Sequence, residues 1–301
     1  MPDFGHHLEF ASFPEPKSTP PTYALDLAMQ SERWGYDLVA IQDHPYQGGY
    51  LDTITLMTWV AAKTDRIRVV SNVLNMALRS PVIVAKTAAT LDLLSDGRFE
   101  LGLGAGFFWD AIESVGGRRL NPAQATTALE EAIDIIRGAW TAHDPTPLDY
   151  RGATHSVAGM QRGPSPSHPL PIWIGALKPR MLRLVGRKAD GWTASLGQNQ
   201  SRSEWQAASR LIDEAASEVG RAPAEIRRMA AIVGAFGSSS SFLEGSPSQW
   251  VHQLLPSVIE DGVGTFLLAT DDRPTVERFA AEVIPGLRLA VDHERRNTGP
   301  E

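Results

Sequence analysis

The stretch Arg98–Asp110, RFELGLGAGFFWD, joins a strand-like apolar run to a glycine-rich turn and then to a group of aromatic residues. A dinucleotide-binding fingerprint reads G-x-G-x-x-G, because its third glycine lets the helix pack closely on the strand. Here that third position falls on Phe107 when counted from Gly102, or on Trp109 when counted from Gly104. The turn therefore does not indicate a dinucleotide fold, and the fold has to be judged from the sequence on either side.

Strand-like runs alternate with helical patterns in both directions from this turn. Before it come DFGHHLEFA, YDLVAIQ and IRVVSNVLNM, and after it come PIWIGAL, GWTASL, IRRMAAIVGAF and GTFLLAT. With FELGLGAG these make eight runs, and a helical pattern follows each of them. Helices between strands allow neighbouring strands to be parallel. Eight such units predict an α/β protein of the (β/α)8 TIM-barrel type, with an open doubly wound sheet as the alternative.

The helical patterns have clear boundaries. Apolar periodicity and capping residues predict helices over 23–34, 53–64, 81–94, 123–140, 179–188, 203–219 and 248–261, and a last helix from Pro274. The segment 141–171 holds six prolines and breaks the rhythm, so we expect an irregular insertion before strand five, with a hairpin around DYRGATHSV. No change of composition marks a boundary, and we expect one domain over 1–301.

Composition excludes several kinds of function. The formal net charge is -7, which argues against a nucleic-acid partner, and the chain has no cysteine. The histidines lack the spacing of a metal site, so no metal is expected. The N-terminal MPDFGHHLEF does not read as a signal peptide and no apolar run is long enough for a membrane span, so we expect a cytoplasmic protein without membrane contact.

The carboxyl ends of the strands are where the active site of such a barrel lies. The second run ends at Asp43 and His44, where a carboxylate beside an imidazole can orient the ring and raise its pKa. The alternative is an aspartate that caps the loop and a histidine that faces solvent. The first run is read as ending at Glu9, which would place His6 and His7 near the same face, either in the site or in a polar layer of the barrel.

Two further strand ends carry unusual residues. Ser71, Asn72 and Val73 interrupt a β-branched run with polar groups, which indicates either a site or ordinary hydrogen bonding inside the barrel. The fourth strand ends at Gly104, Ala105 and Gly106. Such small residues either let the strand bend tightly or leave room for a flat ligand against the backbone, and we favour the ligand.

The fifth and sixth strand ends suit an anion. Gly175, Ala176, Leu177 and Lys178 lead into a helix whose first backbone N–H groups, together with a lysine charge, would bind a phosphate; a plain helix start is the alternative. The neighbouring sixth strand offers the Ser195 hydroxyl.

This set of strand ends is rich in glycine and polar groups and poor in nucleophiles, which favours a bound organic cofactor. The aromatic residues beyond the glycine turn suggest an apolar pocket for the substrate, although ordinary loop packing explains them equally well.

The chain resembles the bacterial luciferase-like monooxygenase superfamily, which includes oxidoreductases that use the deazaflavin coenzyme F420. The segments that carry this resemblance follow one another in the same order along nearly the whole chain: GYDLVAIQDH, IRVVSNVLNMALRSPVIVAKTAATLDLLSDGRFELGLGAGFF, LDYRGATHSV, PIWIGALKPRMLRLVGRKADGW, GRAPAEIRR, GVGTFLLAT and FAAEVIPGLR.

The resemblance implies a TIM barrel with a flavin-type ring at its carboxyl face and an insertion at 141–171. It implies a bulge with a non-proline cis peptide at 71–73, where Asn72 departs from the small residue that is common in the family. It also implies that 104–106 lies beside the cofactor and that 175–178 binds its phosphate.

The ending Asp43–His44 resembles that of members that use coenzyme F420, whereas many members that use flavin mononucleotide (FMN) have Glu-His-His there. The resemblance thus implies hydride transfer between coenzyme F420 and a small organic substrate, with His44 as proton donor or acceptor and Asp43 as its orienter. The alternative is an FMN-dependent monooxygenase that uses dioxygen and a partner reductase. A homodimer is also expected from the resemblance.

Overall fold

Eight parallel strands close into a barrel in the computed structural model of the chain, which describes residues 3–197 and 200–298. The barrel strands are β1 (Glu9–Ser12), β2 (Leu38–Ile41), β3 (Arg68–Ser71), β5 (Phe99–Gly104), β8 (Ile172–Gly175), β9 (Gly191–Ser195), β10 (Arg227–Ile232) and β11 (Thr265–Leu268). A short strand β4 (Leu74–Asn75) pairs with the end of β5. The ring is closed because β1 pairs with both β2 and β11, and β3 pairs with β5. The predicted (β/α)8 TIM barrel is therefore confirmed.

Ten α-helices surround the barrel in the described part of the chain. They are α1 (Tyr23–Trp34), α2 (Thr53–Lys63), α3 (Pro81–Leu94), α4 (Trp109–Ser114), α5 (Pro122–Ala139), α6 (Pro179–Lys188), α7 (Arg202–Glu218), α8 (Pro247–Ile259), α9 (Arg273–Arg278) and α10 (Ile284–Thr298). Three predicted ranges agree to the residue, and the ranges of α2, α5, α7 and α8 agree within two residues at each end. The agreement follows from local chemistry, since Asp52, Asn121, Ser201 and Ser246 each accept a backbone N–H of the helix that they precede.

Two helical features differ from the prediction. Helix α4 follows the aromatic pair Phe107–Phe108 directly and was not predicted, because its six residues are too few to show a period. The last helical segment is divided by a π-helical turn at Phe279–Val283. Phe279 and Val283 are fully buried, so this wider turn keeps apolar side chains on the core side.

The insertion before the fifth barrel strand contains the predicted hairpin. Strands β6 (Leu148–Arg151) and β7 (Ser156–Met160) pair antiparallel. The Glu131 carboxylate of α5 accepts backbone N–H bonds from Thr154 at 2.9 Å and His155 at 2.8 Å, which fixes the hairpin turn against the barrel.

The inside of the barrel has two different ends. A separate apolar cluster fills its middle, formed by alternate strand residues Ala11, Leu38, Ala40, Val70, Trp173, Met229 and Leu267. Towards the amino ends of the strands, the same alternation turns Glu9, Arg68, Glu100 and Arg227 inward. Towards the carboxyl ends it turns small side chains inward, among them Gly104, Thr193 and Ser195.

The placement of the first strand corrects one expectation. The strand begins at Glu9 and ends at Ser12, so His6 and His7 precede it and lie at the amino end of the barrel. There His6 Nε2 is 2.7 Å from the carbonyl oxygen of Ala224. Both histidines therefore lie away from the carboxyl face, and the earlier reading of this run was wrong because periodicity does not fix where a strand ends.

Candidate active site

The carboxyl face of the barrel collects the residues predicted from the other strand ends. These are Asp43 and His44 after β2, Ser71–Val73 after β3, Gly104–Gly106 at the end of β5, Gly175–Lys178 at the end of β8, and Ser195 at the end of β9. Because parallel strands end at one edge, five separate parts of the sequence share this face.

The end of β3 forms a bulge that is tied to its neighbours. The Asn72–Val73 peptide is cis, as the resemblance implied. The Ser71 hydroxyl donates to the Gly102 carbonyl and accepts the Gly102 N–H, both at 2.9 Å. The Asn72 side-chain oxygen accepts a hydrogen bond from the Thr193 hydroxyl at 3.1 Å. These bonds hold the bulge between β5 on one side and β9 on the other.

The glycines at this face make room for the bulge. A Cβ atom at Gly102 would lie 1.9 Å from the Ser71 carbonyl oxygen, and one at Gly104 would lie 2.6 Å from Cγ2 of Val73. A Cβ atom at Gly175 would lie 3.3 Å from the same Val73 methyl group. The sequence interpretation assigned the space at Gly104 to a flat ligand, whereas the volume next to that glycine is filled by Val73. A ligand ring at this face would contact the bulge itself.

Asp43 is fixed by an arginine that the sequence analysis did not single out. Arg79 donates from Nε to one Asp43 oxygen at 2.9 Å and from Nη2 to the other at 2.8 Å, and the backbone N–H of Asn75 adds a third bond at 2.9 Å. The Asp43 side chain is 1% exposed. Its expected role as orienter of His44 has no hydrogen bond in the described structure, because the carboxylate bonds to Arg79 instead.

His44 is surrounded by aromatic rings. Its Nδ1 atom is 2.7 Å from the hydroxyl of Tyr46, and its ring centre lies 5.7 Å from that of Phe108 and 6.5 Å from that of Tyr50. Burial lowers the pKa of His44, while the nearby Asp43 carboxylate acts in the opposite direction. The imidazole is therefore mostly neutral near pH 7, which is the state in which its second nitrogen can take up a proton.

The start of α6 has the features of an anion site. Its first residue Pro179 follows Lys178, whose side chain makes no capping hydrogen bond, so the first-turn N–H groups of Arg180 and Met181 have no side-chain acceptor there. The starts of α1, α3 and α4 likewise lack a side-chain cap, whereas α2, α5, α7, α8 and α9 are each capped by a side chain that precedes them. Lys178 is exposed at this position. These groups fit a phosphate-bearing cofactor, since a helix start favours negative charge.

The loop before α6 is supported from below by the adjacent strand. The Trp192 indole N–H of β9 donates to the Ala176 carbonyl at 2.9 Å, and Ala176 is buried while Leu177 is half exposed. This indole fixes the loop before α6 from one side, and its role was not predicted because it depends on a contact between two strands.

Within residues 3–197 and 200–298, no group of three or more His, Asp and Glu side chains is placed to hold a metal ion. In the same ranges, no helix has the length and apolar character that crossing a bilayer requires.

The fold and the site define a class of TIM-barrel proteins with a helix start without a side-chain cap after the fifth barrel strand, a cis-peptide bulge after strand three and an Asp–His pair after strand two. The chain belongs to the luciferase-like monooxygenase family, whose model matches residues 3–244.

Relatives and solved structures extend this assignment. An F420-dependent glucose-6-phosphate dehydrogenase of Amycolatopsis mediterranei is 30% identical over 184 residues, which cover 59% of this chain and 54% of that protein. The chain thus spans about half the length of this relative. A protein of the same name from Nocardia farcinica is 28% identical over 302 residues, covering 91% of this chain and 88% of that one.

Among solved structures, an F420-dependent secondary alcohol dehydrogenase in complex with an F420–acetone adduct superposes with a TM-score of 0.82. It is 17% identical and covers 93% of this chain and 99% of its own. At this identity the likeness concerns the fold.

Proposed function

We propose that the protein is an oxidoreductase that passes a hydride between coenzyme F420 and a small organic substrate. The observation that carries the proposal is the presence, on one face of the barrel, of a half-buried His44 and of the α6 start without a side-chain cap. Relatives named for their dependence on F420 support the choice of cofactor.

The cofactor would be held by two groups of residues. Its phosphate would bind the first-turn N–H groups of α6 and the Lys178 ammonium, with the Ser195 hydroxyl nearby. Its ring would rest against the bulge of Ser71–Val73 and the turn of Gly104–Gly106. When bound, the deazaflavin supplies a ring carbon that accepts or gives the hydride.

His44 would move the proton that accompanies the hydride. Its Nδ1 atom bonds to Tyr46, and its Nε2 atom makes no hydrogen bond within the described residues, so Nε2 is available to a substrate hydroxyl or carbonyl. Asp43 would act through its charge, because Arg79 holds its carboxylate at a fixed place beside the imidazole. In the oxidation of an alcohol, neutral His44 would take up the hydroxyl proton.

A second candidate is an FMN-dependent monooxygenase that receives reduced FMN from a partner reductase. The description of the matching family as luciferase-like monooxygenases favours it. The same anion site would serve the FMN phosphate. Oxygen-dependent product formation distinguishes this candidate, since hydride transfer with F420 proceeds equally well without dioxygen.

The deciding experiment is a titration of the purified protein with coenzyme F420 and, separately, with FMN. We expect F420 to bind more tightly, and Lys178→Ala to weaken that binding. Tight binding of FMN with none of F420 would reverse the order of the two candidates.

We also propose that the protein forms a homodimer through the outer faces of α2 and α3. Trp59, Ile83 and Leu94 are 55%, 60% and 77% exposed there. The outer face of α6, in contrast, carries ion pairs such as Lys188–Asp134. Sedimentation of the wild type and of Leu94→Glu tests the dimer: the variant is expected to sediment as a monomer, and a monomeric wild type would contradict the proposal.

A further inference from the structure

An exposed aromatic wall stands beside the proposed catalytic histidine. Phe107 and Phe108 are 74% and 51% exposed, and their rings meet edge to face with centres 5.2 Å apart. Phe108 also packs edge-on against His44 at 5.7 Å and contacts Tyr46 at 6.2 Å. Exposed apolar surface next to a reactive group indicates a binding site for an apolar ligand, which would cover that surface.

The positive charges around this wall are already neutralised. Lys17 lies 2.9 Å from both Glu15 and Asp271. Arg79 bonds to Asp43, as described above, and its Nη2 atom also donates to Asp52 at 3.2 Å. Arg119 pairs with Asp110 and with Glu113. Each of these cations would have to give up a carboxylate before it bound a substrate anion.

Few other positive charges occur in the loops at this face. The loop sequences 42–52, 196–201, 233–246 and 269–272 contain no lysine or arginine. Of the remaining loops, the one before α6 contributes Lys178, which the proposed function assigns to the cofactor phosphate. Arg118, beyond α4, is the one further cation of these loops. The first turns of the helices that begin at this face add Arg180, Arg202 and Arg273, of which Arg202 pairs with Glu260 and Asp261 and Arg273 lies over the Tyr23 ring.

From these observations we infer that the substrate is an uncharged molecule with an apolar body, such as a neutral alcohol or the matching carbonyl compound. A phosphate ester carries two negative charges and is usually bound by several arginines or lysines. The inference rests on the proposed function and separates this chain from the relatives named for glucose 6-phosphate. The apolar body would lie against Phe107 and Phe108, with its oxygen towards His44 Nε2.

The test is calorimetric titration of the F420-loaded protein with cyclohexanol and with glucose 6-phosphate. We expect cyclohexanol to bind and glucose 6-phosphate not to bind. The double variant Phe107→Ser/Phe108→Ser is expected to weaken cyclohexanol binding at least tenfold. The matched control is Val115→Ser, because Val115 is similarly exposed and lies at the opposite end of α4 from the two phenylalanines.

Two results would overturn the inference: tighter binding of glucose 6-phosphate, abolished by Arg118→Ala, or cyclohexanol affinity that the double variant leaves unchanged. Absence of binding for both compounds would also overturn it. Failure of F420 itself to bind would count against the proposed function alone, because the same titrations on cofactor-free protein still compare the two compounds.

A different observation points to a positioning residue. The geometry points to Tyr46 as the residue that orients His44, since its hydroxyl is the hydrogen-bond partner of Nδ1 at 2.7 Å. Burial and the Asp43 charge raise the pKa of Tyr46, so the phenol stays protonated. A hydroxyl can donate or accept, whereas a carboxylate accepts only. Tyr46 thus orients the ring with the proton on either nitrogen, which lets Nε2 give or take a proton.

Neither Asp43 nor Tyr50, which also lie near His44, makes a hydrogen bond to its ring in the described structure. Asp43 is engaged by Arg79, and Tyr50 directs its hydroxyl to Glu15. Tyr50 is therefore a matched control, as it presents a similar ring to His44 without a hydrogen bond to it.

Nitrogen NMR of the cofactor-free protein tests the assignment. Tyr46→Phe is expected to move the His44 ring-nitrogen shifts and to change its tautomer ratio, while Tyr50→Phe leaves both unchanged. In turnover, Tyr46→Phe is expected to lower kcat about tenfold with KM little changed. Ring-nitrogen shifts that are the same in wild type and Tyr46→Phe would overturn the assignment, whatever the cofactor proves to be.

Discussion

The two ends of the barrel interior differ in the side chains that the strands turn inward, which are charged at the amino end and small at the carboxyl end. At the amino end, Arg68 pairs with both Glu9 and Glu100, and Arg227 pairs with Glu9 as well. The Trp173 indole N–H donates to Glu100 at 2.6 Å. These charges balance, and all four carboxylate oxygens of Glu9 and Glu100 have a partner.

At the carboxyl end the inward-facing residues are small, or their side chains make a single hydrogen bond. Gly104 and Gly175 flank Val73, and the Asn72 side chain has one hydrogen-bond partner among the described residues, Thr193. Buried polar groups with satisfied bonds make a structure rigid, whereas the small residues at the carboxyl end admit Val73 and leave the bulge as the surface that a ligand would contact. The comparison indicates that stability is concentrated at one end and binding at the other. Variants at the two ends should therefore separate these properties.

The largest effect is expected from breaking the amino-end charges. Arg68→Met leaves Glu100, which is 2% exposed, without a counter-ion, and we expect the free energy of unfolding to fall by about 3–5 kcal/mol. Urea unfolding measures this. As a control, Glu130→Gln removes a partly exposed partner of Arg187 and should cost less than about 1 kcal/mol.

The next effect concerns chemistry at the carboxyl end. His44→Asn should lower kcat by on the order of a hundredfold, with the unfolding free energy changed by less than about 1 kcal/mol. Because burial lowers the pKa of His44, its neutral form persists to lower pH than usual. In the pH profile of kcat/KM for alcohol oxidation, the apparent pKa of the acid limb should therefore lie below 6.5, the ordinary pKa of histidine. An acid limb above that value, or full activity of the variant, would remove His44 from the reaction.

A smaller effect is expected from crowding the bulge. Gly104→Ala brings a methyl group against Val73, so we expect a loss of about 1–3 kcal/mol in stability together with weaker cofactor binding. Adding Val73→Ala removes the contacted methyl groups and should restore part of both. Equal losses in the single and double variants would show that the crowding lies elsewhere.

The smallest change in stability is expected at the α6 start. Lys178→Ala should raise the Kd for the cofactor about tenfold, equivalent to about 1.4 kcal/mol, and leave unfolding within about 0.5 kcal/mol. Lys63→Ala, an exposed lysine at the end of α2, is the control and should change neither. A Kd that is the same in all three proteins would place the phosphate elsewhere.

Most of the fold was predictable because its signals are local. Helix starts follow from capping residues such as Asp52 and Ser201, and the hairpin of the insertion follows from a glycine-containing turn between polar-flanked strands. The first strand was misplaced, since an apolar run around His7 and Glu9 does not say which residues enter the barrel.

The composition of the site was predictable, but its connections were not. Parallel strands bring Asp43, His44 and Asn72 to one face whatever the details, so strand ends alone suggest them. The bond from Arg79 to Asp43 joins residues 36 positions apart, and nothing in the sequence identifies it. Tyr46 is only two residues from His44, yet its hydroxyl bond depends on the shape of the loop.

The closing strand β11 lies outside the residues that the family model matches, which end at 244. It pairs with β10 on one side and β1 on the other over four residues each. A chain cut after residue 244 would leave both neighbours with unpaired backbone groups along a full edge. Such edges join other chains, so the shortened product should aggregate instead of forming a seven-stranded barrel.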